Sequence, residues 1–94
     1  MAPPTAAADL VEGIVVYDKG CGSRFIVETN RGFALVESYG ITTPDAGGKV
    51  VGNIDSYGFT TIYVVAQDRL LKVYVDDYML TKDRVIQKLR EKCG

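Results

Sequence analysis

Three times in this chain a tyrosine stands two positions after an acidic residue. Glu37 and Tyr39 fall in VESYGITT (36–43), Asp55 and Tyr57 in IDSYGFTT (54–61), and Asp76 and Tyr78 in VDDYMLT (75–81). Residues two apart share a face of a strand, so each copy is expected to set a carboxylate beside a phenol ring at a strand end. A ring face attracts a cation by about 0.5–1 kcal/mol at an exposed site and by ~2 kcal/mol where water is excluded. A carboxylate alongside adds direct Coulomb attraction. Glu37, Tyr39, Asp55, Tyr57, Asp76 and Tyr78 are therefore the candidate partner-binding residues, suited to a lysine, an arginine, a methylated amine or a basic, proline-containing peptide. A plainer structural account fits the same pattern. Acids are common where strands end, and tyrosine suits a core margin with its ring inside and its hydroxyl wet. Consecutive strands of an antiparallel barrel also end at alternating rims, so the repeat alone does not bring the three copies together.

Chemistry of other kinds is short of residues. The chain has no histidine, which removes the commonest general base and metal ligand and the usual Ser-His and Cys-His pairs. AGGKVVG (46–52) has glycines without the spacing or hydroxyl of a phosphate loop, and a strand follows it in place of a helix. Asp76 and Asp77 are adjacent, so a regular strand would aim them at opposite faces. Cys21, between Gly20 and Gly22 with Lys19 and Arg24 near, is the best placed nucleophile, yet nothing beside it completes a mechanism. Cys21 and Cys93 lack zinc spacing. A disulfide between them is geometrically open, but reduced thiols are the expectation in a chain read as cytoplasmic. The reading is of a non-enzyme with no catalytic residues, cofactor or metal.

Net charge is −1 and the pI about 5.3, so the whole molecule has no attraction to phosphate. The distribution is uneven. Residues 81–94 hold five basic and two acidic side chains, while the first eighty residues are net acidic. A single-stranded nucleic-acid binder is the alternative function, with Lys72, Tyr74, Lys88, Arg90 and Lys92 as its candidate residues and Tyr17, Phe25, Phe33 and Tyr63 as further stacking faces. Phosphate contacts supply most of such affinity, and an acidic set of strands disfavours it. The cationic tail is equally explained as a solvated face, as a helix packed on the acidic body, or as cations complementing the helix dipole.

The elements that must hold these residues are short. Apolar stretches rich in Val, Ile, Tyr and Phe, punctuated by Gly, Asn, Asp and Pro, predict strands near 11–17, 24–29, 32–38, 49–55, 60–66 and 70–76. TNRG (29–32) reads as a tight hairpin with Gly32 at a positive φ, and AQDR (66–69) as another. ITTPDAGGK (41–49) is the longest loop. Thr81 reads as the N-cap of a C-terminal helix over 81–93, with Leu80 and Val85 as a hydrophobic staple. Val85, Ile86, Leu89 and Cys93 give that helix a narrow apolar stripe. Gly52, inside a strand pattern, implies a bulge or a sharp bend.

Residues 10–94 thus read as one domain after a flexible segment over 1–9. The fold class is all-β with one C-terminal helix, a small antiparallel barrel or strongly curled sheet, SH3-like sooner than OB-like because ITTPDAGG leaves no room for an OB barrel's helix. The expected core includes Val15, Phe25, Val27, Phe33, Leu35, Val50, Ile54, Ile62, Val64, Leu71, Val73, Val75, Val85 and Leu89. No secretory signal pattern or membrane-span window is read, so a soluble chain is expected. The expected function is a non-catalytic adaptor binding a protein or basic peptide at the acidic tyrosine rim. A homo-oligomer or structural subunit associating through an edge strand is the third alternative.

Overall fold

The computed structural model describes residues 10–40 and 42–93, and the flexible segment expected over 1–9 lies outside them. Six strands, β1 (Val11–Tyr17), β2 (Arg24–Thr29), β3 (Gly32–Ser38), β4 (Lys49–Gly52), β5 (Gly58–Val64) and β6 (Arg69–Leu80), precede one helix, α1 (Lys82–Cys93). All pairings are antiparallel. The order β1-β2-β3-β6-β5-β4 closes on itself, so the sheet is a barrel. Closure comes from β1 and β4, which pair from Val11↔Gly52 to Ile14↔Lys49.

The first three strands lie where the apolar stretches and turns predict them. At the β2–β3 hairpin the Thr29 hydroxyl accepts from the Arg31 N–H at 3.0 Å. Gly32 has φ +124°, and a Cβ there would lie 2.8 Å from the Leu80 carbonyl oxygen. The later strands differ from expectation. β4 stops at Gly52 instead of running on to Asp55. Gly52 lies so close to Ile62 that a Cβ would fall 2.7 Å from its Cγ2, and the Ile54 N–H donates back to the Gly52 carbonyl at 3.0 Å. Gly52 is thus a bend where the chain leaves the sheet, with regular pairing up to it on both sides. β5 starts two residues earlier than its pattern predicts, at Gly58, and β6 runs four residues further, to Leu80.

β6 reaches that length by being irregular. Against β3 it pairs Val36↔Val75, Leu35↔Asp77 and Phe33↔Leu80, so extra β6 residues intrude twice, and Met79 within the second bulge has φ +55°. Each extra residue shifts which side chains face in. The expectation that Asp76 and Tyr78 share a face fails here for that reason.

Two apolar clusters form the core. Val15, Phe25, Val27, Ala34, Val36, Val50, Ile54, Ile62, Val64, Leu71 and Val73 fill the barrel, with Tyr78 packed partly against them. Ile26, Leu35, Leu80 and Val85 form a second cluster with Phe33, Ile86 and Leu89 at its margin. α1 therefore covers the outer face of β2 and β3. This accounts for the unbroken burial of Phe25–Val27 and Ala34–Val36, where one face points into the barrel and the other lies under the helix. Thr81 caps α1, its hydroxyl accepting from the Arg84 N–H at 3.2 Å. Only Val85 of the helix is fully buried.

The far end of α1 is fixed covalently. Cys93 forms a disulfide with Cys21, 72 positions earlier, their Cα atoms 5.4 Å apart. The expectation of reduced thiols is corrected by the packing of α1, which returns the C-terminal turn of the helix to the loop after β1. No described helix is long and apolar enough to cross a membrane.

Candidate functional site

The three acid–tyrosine copies do not gather at one rim, and their acids are already engaged. Glu37, on β3, lies 3.6 Å from the Arg24 guanidinium on β2. Asp76, on β6, accepts from the same guanidinium at 3.1 Å, with only 7% of its side chain exposed. Arg24 also donates to the Cys21 carbonyl at 3.4 Å, so one cation ties β2, β3, β6 and the disulfide loop together. Asp55, in the β4–β5 connection, takes Arg31 at 2.8 Å and is itself nearly buried. Carboxylates held this way have little charge left for an external cation.

The tyrosines form two aromatic groups. Tyr57, 64% exposed, meets Tyr78 edge to face at 4.8 Å between centroids. Its hydroxyl donates to Asp77 at 3.1 Å. That hydrogen bond first, and the carboxylate's charge second, push the Tyr57 phenol above its ordinary pKa. Asp77 also accepts from its neighbour Tyr78 N–H at 2.9 Å and lies 3.5 Å from Lys88 on α1. The sequence pattern singled out Asp76 for this site, but the β6 bulge delivers Asp77 to it.

The second group is larger. On the outer face of the barrel, β5 and β6 pair Phe59↔Tyr74, Thr61↔Lys72 and Tyr63↔Leu70, and β3 sets Glu37 opposite Tyr74. Tyr39, just past the end of β3, donates its backbone N–H to the Lys72 carbonyl at 2.9 Å. Its ring lies against the same face, in contact with Phe59. Tyr39 and Phe59 meet edge to face at 5.0 Å, and Phe59 and Tyr74 at 4.9 Å. The Lys72 ammonium stands 5.1 Å from the Phe59 ring centroid. Tyr39 is 52% exposed, Phe59 57% and Leu70 68%. The result is a ridged row of three rings with one cation beside the middle ring.

Of the alternative nucleic-acid set, Lys72 and Tyr74 belong to this face. Lys88 is drawn to Asp77, while Arg90 lies beside a groove on the other side of α1. Lys92 is exposed near the helix end, so these five residues make no single basic stripe. Phe25 is fully buried and Phe33 packs under α1, so neither is a stacking face. The closed ring gives every strand a neighbour on both sides, but β5 pairs with β4 only over Ile62–Val64, so Gly58–Thr61 is the stretch left with a partner strand on one side alone. Phe59 was legible in GFTTIYVVA, where 59, 61 and 63 alternate with 60, 62 and 64, but starting the strand at residue 60 leaves it out.

Comparison with family models, with curated proteins and with solved structures finds no match to this chain.

Proposed function

We propose that this chain is a non-catalytic binding module whose recognition surface is the outer aromatic face of β3, β6 and β5. The observation that carries this reading is the row Tyr39–Phe59–Tyr74, three rings in successive edge-to-face contact with two of them more than half exposed. A monomer rarely leaves a large contiguous apolar patch in water without a use for it. Rings packed edge to face leave ridges and clefts, the shape on which a polyproline II segment docks, as in SH3-type recognition. The partner is a protein segment of that extended kind. Its basic character matters less than the acid repeat implies, because Glu37, Asp55 and Asp76 are internally compensated.

Selection of peptides from a random displayed library against the immobilised protein tests this. Enriched sequences should contain proline beside aliphatic residues, and Phe59→Ala should reduce their capture about tenfold or more, a loss of ~1.4 kcal/mol or greater. Enrichment that survives Phe59→Ala and Tyr39→Ala together contradicts the assignment.

One observation favours the second reading, single-stranded nucleic acid. Lys72 stands beside Phe59 in the pairing that a base and its phosphate would use. Binding of that kind weakens steeply with salt, which separates it from docking of a neutral peptide.

A further inference from the structure

A second surface lies at the other end of β3, where α1 leaves the outer face of β1 uncovered. A groove of about 950 Å³ runs between them, at the upper end of the ~300–1,000 Å³ usual for small-molecule sites. Its strand wall is Val16 and Tyr17, its helix wall Ile86 and Leu89, and Ile26 and Phe33 lie at its base. The Cys21–Cys93 disulfide borders it as well. Val16 and Tyr17 are exposed large apolar residues on this wall.

Charge is distributed around this groove with one sign in excess. Lys19, Lys82 and Arg90 line it, against Glu28 alone. Among the described residues Lys82 and Arg90 take part in no ion pair, and Lys19 has only its sequence neighbour Asp18, at 3.8 Å. The helix sorts its cations by face. Lys88 turns to Asp77 on β6, while Lys82, Ile86 and Arg90 repeat every four residues along the flank that borders the groove.

We infer that this groove binds a free amphiphilic carboxylate, a monomeric long-chain fatty acid, with the chain between β1 and α1 and the carboxylate on Lys82 or Arg90. An apolar trough lined by unpaired cations complements both parts of such a molecule. The site is separate from the aromatic face and does not depend on the peptide reading.

The test is a titration with dodecanoate below its micelle concentration, followed by amide chemical shifts. One saturable site is expected, with shifts at Val16, Tyr17, Ile86 and Leu89 and none along Tyr39, Phe59 and Tyr74. Lys82→Ala with Arg90→Ala, both exposed, should weaken binding about tenfold, and dodecyltrimethylammonium, with the same chain and opposite charge, should bind at least about tenfold more weakly. Val16→Glu alters the strand wall at an exposed position and should abolish the shifts. Equal affinity for the two amphiphiles would overturn the inference. So would shifts confined to the aromatic face, the lack of a saturable site, or binding seen only with anionic phosphatidylserine vesicles.

Discussion

Arg24 shows how one side chain can hold the barrel's outer face while using up a motif that looked functional. Its guanidinium serves Asp76 at 3.1 Å and Glu37 at 3.6 Å, and Asp76 is almost wholly covered. Removing the cation leaves a covered carboxylate without a partner, so Arg24→Ala should cost about 2–3 kcal/mol in chemical denaturation. A loss under ~0.5 kcal/mol would mean that water replaces the pair. Tyr57 offers a second test at this scale. Its hydroxyl donates to Asp77, and its pKa is raised by that bond. The fold favours the neutral phenol, so any stability from this contact is present below the unfolded value of about 10. It is lost as pH rises through the higher folded value. Asp77→Asn should bring the Tyr57 ring-carbon titration down towards that of free tyrosine, and an unchanged midpoint would exclude Asp77 as its cause.

Elements were legible where an apolar run stood between clear turns. β1, β2 and β3 are such runs, and Thr81 marks the start of α1 as plainly as a cap can. Thr81→Ala should cost about 1 kcal/mol, and Val85→Ala, which removes the one fully buried side chain of the helix, about 2 kcal/mol. Far-ultraviolet circular dichroism against denaturant reads both. β6 was only half legible, because bulges are set by the partner strand and leave no period in the sequence. That irregularity is why the acid at the Tyr57–Tyr78 contact is Asp77 and why Asp76 goes to Arg24. Gly52 carried a visible signal with two meanings, and only the close approach of Ile62 separates bend from bulge. Gly52→Ala should destabilise by about 1–3 kcal/mol, since its Cβ would overlap a buried side chain.

For the whole molecule, the class of fold followed from composition and punctuation, whereas closure of the ring and the disulfide depend on contacts between distant positions. The Cys21–Cys93 bond closes nearly the entire domain, and loss of so long a loop constraint should lower stability by about 2–4 kcal/mol. Cys21→Ser with Cys93→Ser should therefore lower the unfolding midpoint while keeping the β spectrum. A reducing compartment would impose the same loss. The aromatic face is likewise a property of the assembled barrel, since Tyr39, Phe59 and Tyr74 come from three strand regions that only the β3-β6-β5 order sets side by side. The measurement that tests it most directly is a titration of ring and amide resonances with a neutral proline-rich decapeptide, at low salt and again at 200 mM on the order of physiological ionic strength. We expect saturable shifts at Tyr39, Phe59 and Tyr74 that persist in salt. Shifts absent from those three rings, or produced only by a single-stranded oligonucleotide and collapsing in salt, would contradict a peptide-binding face.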